Sequence, residues 1–110
     1  MTVAIPVSGG VLSAHFGHCE QFVLFSVADK SVAGRKDLTP PPHEPGLLPR
    51  WLKDQGVNLV IAGGMGQRAQ ALFQQQGIEV VCGAPAQDPE SAVRSYLEGT
   101  LEAGDNACDH

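Results

Sequence analysis

The amino-acid sequence predicts a mixed α/β domain, a five-stranded sheet between flanking helices. Three observations predict it: β-branched and aromatic runs of strand length early in the chain, a second half in which apolar runs alternate with segments of helical period, and glycine or proline at most changes of element.

Residues 2–7 (TVAIPV) are a β-branched run stopped by Ser8-Gly9-Gly10, and 21–28 (QFVLFSVA) alternates Phe22, Leu24 and Ser26 against Val23, Phe25 and Val27. Both read as strands. The turn cluster at 28–31 leads into 31–38 (SVAGRKDL), a return strand weakened by Gly34, so the first three strands form an antiparallel meander. Residues 39–46 (TPPPHEPG) cannot be helix or central strand, because their prolines remove backbone donors and fix φ. A helix follows at 47–56, with Leu47, Leu48, Trp51 and Leu52 at helical spacing and Gly56 at its end.

The unbroken apolar run at 57–64 (VNLVIAGG) reads as a strand buried on both faces of a parallel sheet. Next, 66–77 sets Ala69, Leu72 and Phe73 on one helix face and closes on Gly77, and 78–84 (IEVVCGA) is the fifth strand. Asp88 as N-cap and Pro89 in the first turn open a helix through Leu97. The polar, glycine-containing end makes 1–98 the expected single domain and 99–110 a flexible tail. Right-handed crossovers through the helices make strands three, four and five parallel. With strand one beside strand four, the order is 3-2-1-4-5, a ribonuclease-H-like three-layer arrangement.

Composition removes several function classes. Seven Lys and Arg against twelve Asp and Glu leave a net charge of −5, which offers no basic surface to nucleic acid. No run approaches the roughly 20 apolar residues a membrane helix needs, and no leader pattern opens the chain, so a cytoplasmic protein is expected. Three cysteines at irregular spacing do not form a disulfide framework and are expected as free thiols. The strands at 2–7 and 57–62 carry no carboxylate, so the paired Mg²⁺ chemistry of a nuclease is absent, and no Ser-His-Asp or activated Cys-His set is evident.

What remains is a set of soft donors. If the first strand runs upward, the segments after strands one, three, four and five lie at one end of the sheet, where open α/β sheets bind ligands. They carry His15, His18 and Cys19 in SAHFGHCEQF, His43 in the proline loop, and Gly63-Gly64-Met65-Gly66 before a helix. Cys108 and His110 can join them, since the dozen residues of the tail reach up to about 40 Å extended, against about 20 Å for a strand of six. Thiolate and imidazole suit iron, copper, zinc and iron-sulfur clusters. Glycine-led helix starts at Gly66 and near Gly46 favour an anionic ligand. Cys82, ending a buried strand, reads as core, as do Phe16, Phe22, Phe25 and Trp51. Gly64, Gly66 and Ala69 also match G-x-G-x-x-[GA], the dinucleotide fingerprint, but the next strand carries Glu79 at its start instead of a carboxylate at its end.

The segments HFGHCEQFVLFSV, PPPHEPGLLPRWL, NLVIAGGMGQRAQALF and the ending GDNACDH together resemble the dinitrogenase iron-molybdenum cofactor biosynthesis family over nearly the whole chain. The Phe16-Gly17 turn and Gly63-Gly64-Met65-Gly66 are the most specific pieces. The resemblance implies a non-catalytic carrier or scaffold for a metal cluster, iron-sulfur or molybdenum-containing, or its precursor, with cluster-assembly proteins as partners and a homodimer left open. Some members are similar to proteins that bind molybdenum-copper-sulfide clusters. It further implies cofactor-binding roles for Phe16, Gly17, Gly64, Met65 and Gly66. Metal-ligand roles go to His18, Cys19, Cys108 and His110, with His15 and His43 as secondary candidates. Two other readings stand beside it: a nucleotide-responsive regulatory domain and a metal-free interaction adaptor.

Overall fold

The computed structural model describes residues 1–13, 16, 19–41 and 47–101. Its elements in chain order are β1 (Thr2–Ser8), β2 (Val11–Leu12), β3 (Gln21–Ala28), β4 (Ser31–Leu38), α1 (Leu47–Asp54), β5 (Leu59–Ile61), α2 (Gln67–Gln75), β6 (Glu79–Val81) and α3 (Pro89–Glu98). The sheet has six strands rather than the expected five. Along its main path the order is β4-β3-β1-β5-β6, with β2 paired to β1 off that path.

Strand β1 organises the sheet because both of its edges are used. Antiparallel β3 pairs along one edge from Thr2↔Ser26 to Val7↔Gln21, and parallel β5 pairs along the other at Val3↔Leu59 and Ala4↔Val60. The additional strand β2 pairs Val7↔Leu12 and Ser8↔Val11. Since β3 already occupies one edge of Val7, β2 must lie on the β5 side, in the slot above the end of β5. Gly9 and Gly10 make this reversal possible, with φ of +62° and +84° in a two-residue turn that requires the left-handed region twice. Two residues carry too little periodicity to read as a strand.

Strands β5 and β6 are shorter than the apolar runs 57–64 and 78–84 that contain them. Beyond their ends the chains stay tied: Ala62 N–H donates to Val81 O at 2.8 Å, Gly83 N–H to Gly63 O at 2.7 Å and Ala84 N–H to Ala62 O at 3.1 Å. The return strand β4 is full length despite Gly34, and the pairing with β3 absorbs a register shift at Ser26/Val27.

Strand alternation sorts the core into two layers. Ala4, Phe22, Leu24 and Val60 meet Leu48 and Leu52 of α1 and Phe73 of α2 on one face. Val3, Ile5, Val7, Val23, Phe25, Leu59 and Ile61 meet Ala92 and Val93 of α3 on the other. Two helices over one face and one over the other make three layers. Each large apolar side chain so buried contributes about 1.5–3 kcal/mol before the entropy of ordering is subtracted. The helix signals hold in detail. Asp88 accepts a hydrogen bond from Ser91 N–H at 3.1 Å, Pro89 stands in the first turn, and Gly56 follows α1 with φ of +83°. Among the described residues no helix is long and apolar enough to cross a membrane.

Candidate functional site

The loop between β2 and β3 is held at both ends by β1. Ser13 N–H donates to Pro6 O at 2.8 Å, and Glu20 N–H donates to Val7 O at 2.8 Å. Because β2 has carried the chain over the end of β5, the middle of this loop meets the glycine turn that follows β5. There Phe16 N–H donates to Gly64 O at 2.9 Å. The loops after β1 and β5 therefore come together at one end of the sheet, and the links between Ala62–Gly63 and Gly83–Ala84 bring the loop after β6 beside them. Leu12 N–H reaches Gln87 O at 2.8 Å and adds the segment before α3.

Phe16 and Met65, expected from the resemblance to bind cofactor, have their side chains inside the protein, 8% and 2% exposed. Phe16 packs edge-on against Phe22 and Phe73, with ring centroids 5.8 and 5.5 Å away, and Phe22 in turn stands 5.9 Å from half-buried Trp51. Among the described residues, what these loops offer a ligand is largely backbone. Gly66 caps α2 with extended backbone and no side-chain cap, and no acidic residue stands in the first turn of α2. Its leading N–H groups thus lack the carboxylate that Asp88 and Glu90 supply at α3.

Of the expected metal ligands, Cys19 is described. It is a free thiol, half-buried against the α1–α2 core, and burial pushes its pKa from the ordinary 9.0 up to about 11, against a smaller lowering from a backbone hydrogen bond. A thiol in that setting keeps its proton near neutral pH unless a cation replaces it. His15, His18, His43, Cys108, His110 and Gly17 lie outside the described residues. Among the described residues no group of three His, Cys, Asp or Glu stands together to hold a metal ion. Cys82 corrects the expectation of three free thiols: it is half-buried at the end of β6, packed against the α1–α2 core, and disulfide-bonded.

Two supporting side chains were not evident in the sequence. Gln70 Nε2 donates to Met65 O at 3.1 Å and holds the glycine turn from α2, while Glu20 Oε1 accepts Gly9 N–H at 2.7 Å and braces the β1–β2 turn. Gln70 sits in a glutamine-rich helix whose polar residues read as solvated surface. The only available signal was its place in the first turn after the glycines. A separate cleft of about 380 Å³ opens between the Gly9–Gly10 turn and β4, lined by Glu20, Arg35, Asp37 and Thr39 over Val7 and Val23. Val7 and Val23 belong to the α3-side core, so this cleft lies across the sheet from Phe16.

Known proteins share this fold. The crystal structure of PH0822 matches with a TM-score of 0.89 and 30% identity over 97% of each chain. The apo form of the orange protein from Desulfovibrio gigas matches in fold, with a TM-score of 0.75 and 20% identity over 94% of this chain and 92% of that one. An uncharacterised protein of Methanocaldococcus jannaschii is 29% identical over 107 residues, covering 93% of this chain and 90% of its own. The family model described as dinitrogenase iron-molybdenum cofactor matches residues 1–99. With nine-tenths of its length inside that model, the chain belongs to the dinitrogenase iron-molybdenum cofactor family, as a small cofactor-related protein.

Proposed function

We propose that this protein is a non-catalytic carrier of a metal cluster or its precursor, iron-sulfur or molybdenum-containing, which it receives from and delivers to cluster-assembly proteins in the cytoplasm. The observation that carries the reading is the 2.9 Å hydrogen bond from Phe16 to Gly64, which sets the soft-donor loop against the glycine turn at the carboxyl ends of β1 and β5. In this reading the sheet is ribonuclease-H-like with a carrier's site in place of a nuclease's. Residues 1–98 form the scaffold, and 99–110 form an arm that closes on the cargo.

In the reduced chain the proposed donors are His18 and Cys19 from the loop and Cys108 and His110 from the arm, with His15 and His43 as further ligands. Gly17, Gly64 and Gly66 bring backbone N–H groups close to an anionic cargo, and Phe16 and Met65 form the floor beneath. Cys19 alone among the described residues cannot hold a metal, so the reading requires ligands from several segments.

Anaerobic reconstitution of the full chain under reducing conditions, with iron, sulfide and molybdate, tests the proposal. Stoichiometric metal and a sulfur-to-metal charge-transfer band are expected, and truncation after Gly104 should weaken binding at least about tenfold, the loss of one ligand. No metal uptake by the full chain overturns the reading. The uncapped α2 following Gly64-x-Gly66 favours the nucleotide-responsive alternative, which predicts a thermal shift with ATP or NAD and none with metal. A chain that responds to neither is the metal-free adaptor.

A further inference from the structure

We infer that Phe16 is a positioning residue: its ring pins its place in the loop between β2 and β3 to the core, and so sets the backbone to which the proposed donor Cys19 is tied. The consequence for binding rests on the carrier reading above; the pin itself does not.

The loop is tied to β1 at Ser13 and Glu20, but six residues separate those ties, 14–19. A segment of that length held at its ends alone samples many conformations, and fixing each residue costs on the order of 1–2 kcal/mol of backbone entropy. Phe16 supplies a third tie halfway along. Its ring is 8% exposed and meets Phe22 of β3 and Phe73 of α2 edge-to-face, at interplanar angles of 61° and 84°. Its N–H is spent on Gly64 and its carbonyl accepts from Cys19 N–H at 3.4 Å. Ring and backbone thus fasten one residue to the sheet, to a helix and to the neighbouring glycine turn. A side chain so enclosed leaves little surface for a ligand, and its influence passes chiefly through Cys19, whose N–H its carbonyl holds. Leucine would keep apolar volume in the hole but lose both edge-to-face contacts, so it should do part of the work.

The pin is testable with and without metal. Alkylation of Cys19 by iodoacetamide, followed by mass spectrometry in the native full chain, reads how firmly the loop is held. Titration with cobalt(II) alone, under anaerobic and reducing conditions, reads binding through the visible bands. Phe16→Ala should speed alkylation and weaken cobalt affinity, each at least about tenfold, with band positions unchanged because the ligands are the same. Phe16→Leu should recover most of both. Phe25→Leu, in the core on the other face, should lower the melting temperature yet move neither reading. If Phe16→Ala does not fold, Phe16→Leu carries the test, with intermediate shifts expected in both readings. Alkylation and affinity equal to the unsubstituted chain would overturn the inference, and so would shifted bands, which would put Phe16 in contact with the metal. If the unsubstituted chain takes up no cobalt, the carrier reading loses its support, while the alkylation series still decides whether Phe16 pins the loop.

Discussion

At the scale of single residues, Cys19 joins burial to chemistry. Its pKa of about 11, against an ordinary 9.0, means that the folded protein holds the thiol proton more tightly than the unfolded chain. Stability from this group is fully present below pH 9 and is lost as pH rises toward 11, because the unfolded chain ionises first. Urea denaturation between pH 8 and 11 should show that loss, and Cys19→Ser should remove it. Binding runs the other way: a cation displaces the proton, so metal uptake at neutral pH should release protons and weaken as pH falls. A second residue-scale consequence concerns the β3–β4 turn, where Asp29 and Lys30 hold φ of +53° and +62° without a glycine. Lys30→Gly removes a strained side-chain position and should stabilise the protein by about 1 kcal/mol, read from the urea midpoint.

The helices and long strands were legible as elements because their signals are local. Asp88, Pro89 and Gly99 mark both ends of α3 in the sequence and in the structure, and Asp88→Ala should cost about 1 kcal/mol by removing the acceptor for Ser91 N–H. Thermal or chemical denaturation checks it. The alternation in 21–28 likewise sorted Phe22 and Leu24 from Val23 and Phe25 onto opposite core layers. What the sequence concealed was non-local. Two-residue β2 is defined by its pairing with Val7 and Ser8, and no periodicity of its own announces it. Yet β2 carries the loop that follows it over β5 and so determines that Phe16 meets Gly64. The ends of β5 and β6 were overextended for a related reason: apolar composition continues past the point where the chains turn into the glycine loops. Of the candidate site, the convergence of two loops could be reasoned from strand direction, whereas the inward burial of Met65 and the brace from Gln70 depend on tertiary contacts.

At the scale of the whole molecule, three layers supply a rigid platform, and the candidate site is built at its edge from loops. The two core layers bury side chains from β1, β3 and β5, so substitutions in the loop between β2 and β3 other than at Phe16 should leave the sheet intact. The cleft beside β4 lies on the α3 side of the sheet, across from the core layer that holds Phe16. Membership of the dinitrogenase iron-molybdenum cofactor family ties the chain to cofactor chemistry. The proposal that it carries a cluster stands on the meeting of the two loops at Phe16 and Gly64. The most direct measurement is therefore metal content and visible absorption after anaerobic reconstitution with iron, sulfide and molybdate, comparing the unsubstituted chain with the double variant His18→Ala/Cys19→Ser. A stoichiometric cluster is expected in the unsubstituted chain and at least about a tenfold loss of affinity in the variant, with circular dichroism unchanged. Equal cluster content in both proteins, or none in either, would contradict it.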